Sequence, residues 1–271
     1  MLKQNFIDLI SGIVFMYDLL DDTADFIVIY KYPGVSFHRE GDQAGLFETV
    51  KQQQMLNELY PVHRLDKVTS GMLIMAKTAT ANRMLGEAFA QRQVEKYYLA
   101  VSKRKPRKKQ GLIKGDMERA RRGAWKLTIN QSNPAITQFF SKSLGDGERL
   151  FLVKPYTGQT HQIRVALKSI GAPIWGDELY GGQDVHADRT YLHAFNCVFR
   201  SMVRPIAIRL CRAMETYFCN HASLKRCKIL CTLTLWPGQR YEISRYHFYS
   251  RYFVVSRFAC DTFFSSDNTV K

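Results

Sequence analysis

The first 196 residues contain no cysteine; all six lie at Cys197, Cys211, Cys219, Cys227, Cys231 and Cys260. A disulfide framework spread over the chain is thereby excluded, and nothing else in the sequence indicates export. Cys227 and Cys231, with Cys219 and His221 nearby, form a loose group without a repeated short Cys pair, so no metal is expected. No run of about 18 apolar residues is present, which removes a helical membrane span. The N-terminal "MLKQNFIDLISGIVFMYDLL" carries Asp8 and lacks both a basic start and a small-residue cleavage site. It does not read as a signal peptide, and a cytoplasmic location is expected. A glycine-rich phosphate loop is also missing, so no nucleotide cofactor is expected.

Acidic residues are scarce where basic ones collect. The 271 residues hold 39 Lys and Arg against 24 Asp and Glu, a formal net charge of +15. Residues 1–100 are nearly balanced, at 10 against 12, whereas residues 101–200 carry 18 against 8. The densest runs are "KRKPRKK", Lys103 to Lys109, and "RARR", Arg119 to Arg122. Such runs attract polyanions, of which nucleic acid is the commonest.

What is present reads as a mixture of strands and helices. "DFIVIYKYPGVSFH", Asp25 to His38, predicts a strand broken at Pro33-Gly34 and a second extended piece. Leu46 to Leu59 has helical composition. "MLIMAK" predicts a buried strand by its continuous apolar run. Thr78 to Lys96 predicts a helix with Leu85 and Phe89 on one face, and "YYLAV" from Tyr97 the next strand, with Tyr98 at its start. "AITQFFSKSL" and "RLFLVKPY" predict a hairpin around "GDGE". "THQIRVALKSIG" predicts a helix capped by Thr160, with Ile163, Leu167 and Ile170 as its apolar stripe and Gly171 as its stop. Without a strict βαβ repeat, this is an α+β chain with a mixed, mostly antiparallel sheet and flanking helices.

Within this frame "PVHRLDKVTSGM" places one carboxylate, Asp66, among the cations Arg64 and Lys67 at the mouth of an apolar strand. Arg164 sits beside the apolar face of the last helix, where a guanidinium normally needs an anion. Taken singly, a turn Asp, a surface Arg and a core Tyr are all ordinary.

Together they resemble a known family. "HRLDKVTSGMLIMAK" resembles the H-R-L-D-x-x-T-S-G signature of the RluA family of RNA pseudouridine synthases. "KYPGVSFH", "VEKYYLAV", "KPYTGQTHQIRVALKSIGAPIWGDELYG" and "YLHAF" resemble further segments of that family in the same order, from about Asp25 to Phe199. Departures are Tyr32 in the first of these and Gln159, Ala166 and Ala172 in the long block. The resemblance implies the pseudouridine synthase fold with a central cleft, in a short form without a separate N-terminal RNA-binding domain. It implies an isomerase acting on uridines of structured RNA, ribosomal or transfer, with no cofactor and no metal. It assigns Asp66 as nucleophile, Arg164 as its partner, and Tyr98 as a base-stacking residue or proton acceptor. Arg64, Thr160 and His161 would bind substrate. A monomer is expected.

The resemblance stops near residue 200. Residues 1–24 read as a lead-in, 25–199 as the catalytic domain, and 200–271 as an atypical tail rich in Cys, Tyr, Phe and Arg with four acids. The abrupt shift suggests a different reading frame from about Arg200; an aromatic RNA-binding extension is the other reading. Two further functions stand beside the main one: an RNA-binding protein whose catalysis the tail has impaired, and a glycosidase that only cleaves. A glycosidase normally uses two carboxylates.

Overall fold

A computed structural model describes residues 16–182 and 187–199. The atypical tail and five of the six cysteines lie outside the described residues.

The strands are β1 (Tyr17–Asp22), β2 (Phe26–Lys31), β3 (Tyr60–Pro61), β4 (Ser70–Ala76), β5 (Val94–Ser102), β6 (Gln110–Gly115), β7 (Met117–Arg119), β8 (Trp125–Leu127), β9 (Ala135–Gly145), β10 (Glu148–Pro155) and β11 (Leu192–Phe199). The helices are α1 (Leu46–Gln53), α2 (Ala79–Ala90) and α3 (Gln162–Ser169). Among the described residues nine strands form one sheet in the order β1-β2-β4-β11-β5-β10-β9-β6, with β3 also on β4, while β7 and β8 form a separate two-stranded ribbon. All pairings in the large sheet are antiparallel except β4 with β11. This is the α+β architecture expected from the sequence. No described helix is long and apolar enough to cross a membrane.

All seven residues of β4 are buried. Leu73 and Met75 pack towards α1 with Leu46 and Val50, and Met72 and Ile74 pack towards α2 with Ala81 and Leu85. Cover on both faces is why this strand is a continuous apolar run rather than an alternating one. A third cluster joins β5, β9 and β10 to Ile163 and Leu167 of α3, the stripe expected there. At the end of α3 Gly171 takes φ +82°, its N–H bonds Lys168 O at 3.0 Å, and Ala172 N–H bonds Leu167 O at 3.0 Å. That is the glycine stop with its paired carbonyl bonds. The β9–β10 hairpin turns at Asp146 and Gly147, both at positive φ, as a two-residue Asp-Gly turn requires.

Several boundaries differ from the sequence expectation. The second predicted helix ends at Ala90 rather than Lys96, because Arg92 at φ +57° turns the chain and Gln93 N–H closes on Ala88 O. Residues 94–96 therefore belong to β5, and Tyr98 lies in mid-strand. Helix α1 ends at Gln53, six residues early, with Met55 at φ +48°. Neither left-handed residue is glycine, so no stop signal marks them. Val35 to His38 forms no strand. The lead-in contributes β1, an edge strand paired with β2. Thr160 is not the cap of α3: His161 occupies that position in the left-handed region, and Thr160 is exposed one residue outside. No side chain caps the helix; the Gln162 side chain instead fastens the loop leading into it, accepting from Gln159 N–H at 2.9 Å and Thr157 Oγ1 at 2.8 Å.

Candidate active site

The site forms where β4 and β11 meet and part. Their parallel pairing covers only His193↔Ser70 and Ala194↔Gly71. Farther along, β3 takes that edge of β4. Gly71 stands at φ +118°, and a Cβ there would strike the backbone oxygen of Ala194. Only glycine permits this approach. Ala194 in turn faces Tyr98 of β5. The "TSG", "LHA" and "KYYLA" segments are thus three neighbours in one row across the sheet. Ser70 fastens the junction: its Oγ lies 3.1 Å from His193 Nδ1 and accepts from Arg189 Nη2.

Asp66 sits on the turn that precedes β4, closed by Thr69 N–H on Asp66 O at 3.0 Å. The turn is held from below by Lys31, which is wholly buried at the end of β2. Lys31 Nζ donates to Tyr32 O, Val35 O and Lys67 O at 3.0, 2.8 and 3.0 Å. Three carbonyls match the three donors of an ammonium, one more than a neutral amine carries. Burial pushes Lys31 down to about 7, with the negative charge of Asp66 opposing. Gly34 N–H also bonds Lys67 O, at 2.9 Å, so the "KYPG" segment packs directly under the carboxylate loop.

Arg164 projects from α3 with its side chain only 6% exposed. Its Nη1 lies 3.6 Å from Asp66 Oδ2, whose side chain is 29% exposed. Its closer partner is Asp177, fully buried, which takes Arg164 Nε at 2.8 Å and Nη2 at 2.9 Å. Burial pulls the guanidinium pKa down, but the hydrogen bonds and charge of Asp177, with Asp66, outweigh it and leave it raised. Asp177 Oδ1 also accepts from the N–H groups of Leu179 and Tyr180, at 3.1 and 3.2 Å. The arginine is thus anchored in one carboxylate and aimed at another.

Tyr180 lies across this arginine, with the guanidinium carbon 4.9 Å from its ring centre. Its hydroxyl is 2.9 Å from His161 Nδ1 and accepts from Trp125 N–H at 2.9 Å. Burial, then the Arg164 charge, lower the His161 pKa. Tyr98 borders a small pocket in the gap between β4 and β11, with His63, Lys96, Asn196 and Cys197. Burial raises the Tyr98 phenol, and Cys197 and Asp66 add to it. His63, beside Asp66 in sequence, is structural: its Nε2 accepts from Ile74 N–H at 3.2 Å, its ring stacks on Phe89, and burial holds it down to about 3.

The structure therefore brings Asp66, Arg164 and His161 together, with Tyr98 across the same gap. Arg64 is exposed, and among the described residues nothing pairs with it. Thr160 is exposed beside His161. Sequence reading missed Lys31, Asp177 and Tyr180 as parts of the site. All three lie inside the motif segments, but a lysine on a strand and an aspartate before a tyrosine carry no local signal of burial.

A family model described as RNA pseudouridylate synthase matches residues 25–169. The chain is 51% identical over 176 residues to a Haemophilus influenzae protein called "Uncharacterized RNA pseudouridine synthase", covering 65% of this chain and 79% of that one. It is 39% identical over 163 residues to "Ribosomal large subunit pseudouridine synthase C" of Rickettsia bellii, covering 58% of this chain and 54% of the relative. Among solved structures, "Human RNA Pseudouridylate Synthase Domain Containing 1" superposes with a TM-score of 0.61 at 25% identity, over 72% of this chain and 82% of that one.

Proposed function

Because the chain belongs to the RNA pseudouridylate synthase family, we propose that it isomerises uridine to pseudouridine in structured ribosomal or transfer RNA, with Asp66 as the nucleophile. The observation that carries this reading is the Asp177–Arg164–Asp66 chain, with the outer carboxylate partly exposed and the inner one locked. The reaction breaks the N-glycosidic bond, turns the uracil and rejoins it through C5; the C5 proton is lost and N1 takes one up, so the product is an isomer. It needs one accessible carboxylate beside sugar and base. Arg164 holds that carboxylate in place. Tyr98 packs under the base as a protonated phenol, in keeping with its raised pKa. Arg64 and His161 border the flipped nucleotide, with Thr160 beside His161 in the chain. Flipping costs a few kcal/mol, which phosphate contacts along exposed Lys103 to Lys109 offset. A cytoplasmic site of action is part of this reading.

A purely hydrolytic glycosidase is disfavoured, since Asp177 is fully buried and takes both its oxygens to Arg164. Asp66→Asn keeps shape and removes the nucleophile. Pseudouridine formation should vanish while RNA affinity persists. Turnover within about tenfold of wild type would remove Asp66 from the chemistry, and free uracil from the wild-type protein would mark a hydrolase.

A further inference from the structure

The ribbon β7–β8 stands apart from the large sheet and ends in a short turn at Arg121–Gly123, with Arg122 at φ +56°. Arg119, Arg121, Arg122 and Lys126 are exposed on it against one acid, Glu118, which pairs with Lys126 at 3.1 Å. Its base is fixed. Asp116 N–H bonds Asn130 O at 2.9 Å, and the Asp116 carboxylate takes the N–H groups of Ser132 and Asn133, both at 3.0 Å. One further bond ties the ribbon to the interior, from Trp125 N–H to the Tyr180 hydroxyl at 2.9 Å. Only Tyr180 and Arg164 separate that N–H from the Asp66 carboxylate.

We propose that the ribbon grips the phosphate backbone of RNA flanking the target uridine through Arg119, Arg121 and Arg122, and that Tyr180 is a positioning residue that couples this grip to the Arg164–Asp66 pair. The inference rests on the activity proposed above. An arginine-bearing ribbon with one acid matches a polyanion in charge, and its clamped base allows it to transmit load rather than swing. RNA drawn onto the arginines seats Trp125 against Tyr180, and the tyrosine ring then fixes the guanidinium that aims Asp66. Tyr180 touches no reacting atom; it acts through Arg164.

Four full-length proteins test this: wild type, Tyr180→Phe, the triple variant Arg119→Gln/Arg121→Gln/Arg122→Gln, and their combination. RNA affinity is followed against salt, and pseudouridine formation as a single-turnover rate at saturating RNA. The triple variant should flatten the salt slope by about 2–3 in log–log units and also slow the saturated rate. Tyr180→Phe keeps the ring over Arg164 and removes both the acceptor for Trp125 and the contact with His161 Nδ1. It should slow the saturated rate about 2–10-fold, the worth of one hydrogen bond, with affinity unchanged. The combined variant should be no slower than its slower parent, because both changes break one link. Rates that multiply, or a normal rate in Tyr180→Phe, overturn the coupling, and an unchanged salt slope overturns the grip. Trp125→Pro deletes the same bond from the ribbon side, where Ala124 at φ −75°, ψ 166° accepts a following proline. It should slow the saturated rate while the Tyr180 contact with His161 stays in place; a normal rate again overturns the coupling. A wild-type protein that makes no pseudouridine strikes the activity, while the salt slope still decides the ribbon.

Discussion

Arg164 serves two carboxylates of unequal standing. Asp177, buried and bidentate, sets where the guanidinium lies, and Asp66 receives what charge is left at 3.6 Å. In Asp177→Asn an amide NH2 would face a guanidinium N–H, leaving a buried cation half served. Loss of one partner in a buried pair costs about 3–5 kcal/mol, which lowers the melting temperature by at least about 5 °C for a chain of this size. Pseudouridine formation should fall with it. A melting temperature unchanged in Asp177→Asn would mean that Asp66 alone satisfies Arg164. Tyr98 poses a separate question. An ordinary phenol is already protonated at neutral pH and burial raises Tyr98 further; with the ring acting by stacking, Tyr98→Phe should retain most activity in a single-turnover assay. A loss of about 10²–10⁴-fold would instead assign the hydroxyl to proton removal.

The parallel contact of β4 with β11 is the element on which the site depends. It is two residue pairs long and exists because Gly71 has no side chain. Gly71→Ala would force a Cβ into Ala194 and strain a residue at positive φ, about 1–3 kcal/mol for the backbone alone. The strands would then move apart, carrying the Asp66 turn away from Tyr98. The expected outcome is a lower melting temperature together with an activity loss larger than the loss of RNA affinity. Equal activity in Gly71→Ala and wild type would show that the junction does not set the site geometry.

Over the whole molecule, two histidines make the fold sensitive to acid. His63 and His193 are each held down to about 3 by burial, against an ordinary 6.5. Above 6.5 both are neutral in folded and unfolded chains alike, so stability there does not depend on them. As pH falls below 6.5 the unfolded chain takes up protons that the folded one refuses. Stability is then lost at up to about 1.4 kcal/mol per pH unit per histidine. Lys31, held to about 7 against an ordinary 10.5, already costs stability as pH falls towards 7, so melting temperatures should decline gently from about pH 7.5 and more steeply below about 6.5, where the histidines add to it. A decline that begins only below about pH 5 would mean that carboxylates alone set the acid limit. By itself the sequence determined the main strand and helix types, the Asp-Gly hairpin and the glycine stop of α3, while the resemblance to the family named Asp66 and Arg164 as partners. Periodicity and turn chemistry are local, and the motif around Asp66 is contiguous. Tertiary structure decided the rest. Helix ends at Met55 and Arg92 fell at left-handed residues that no glycine marks. The Arg164 anchor comes from Asp177, 13 residues on, and the floor of the Asp66 turn from Lys31, 36 residues before Lys67. Their roles follow from burial, which turns an unremarkable aspartate and lysine into groups that must be paired, and burial is a property of the packed chain.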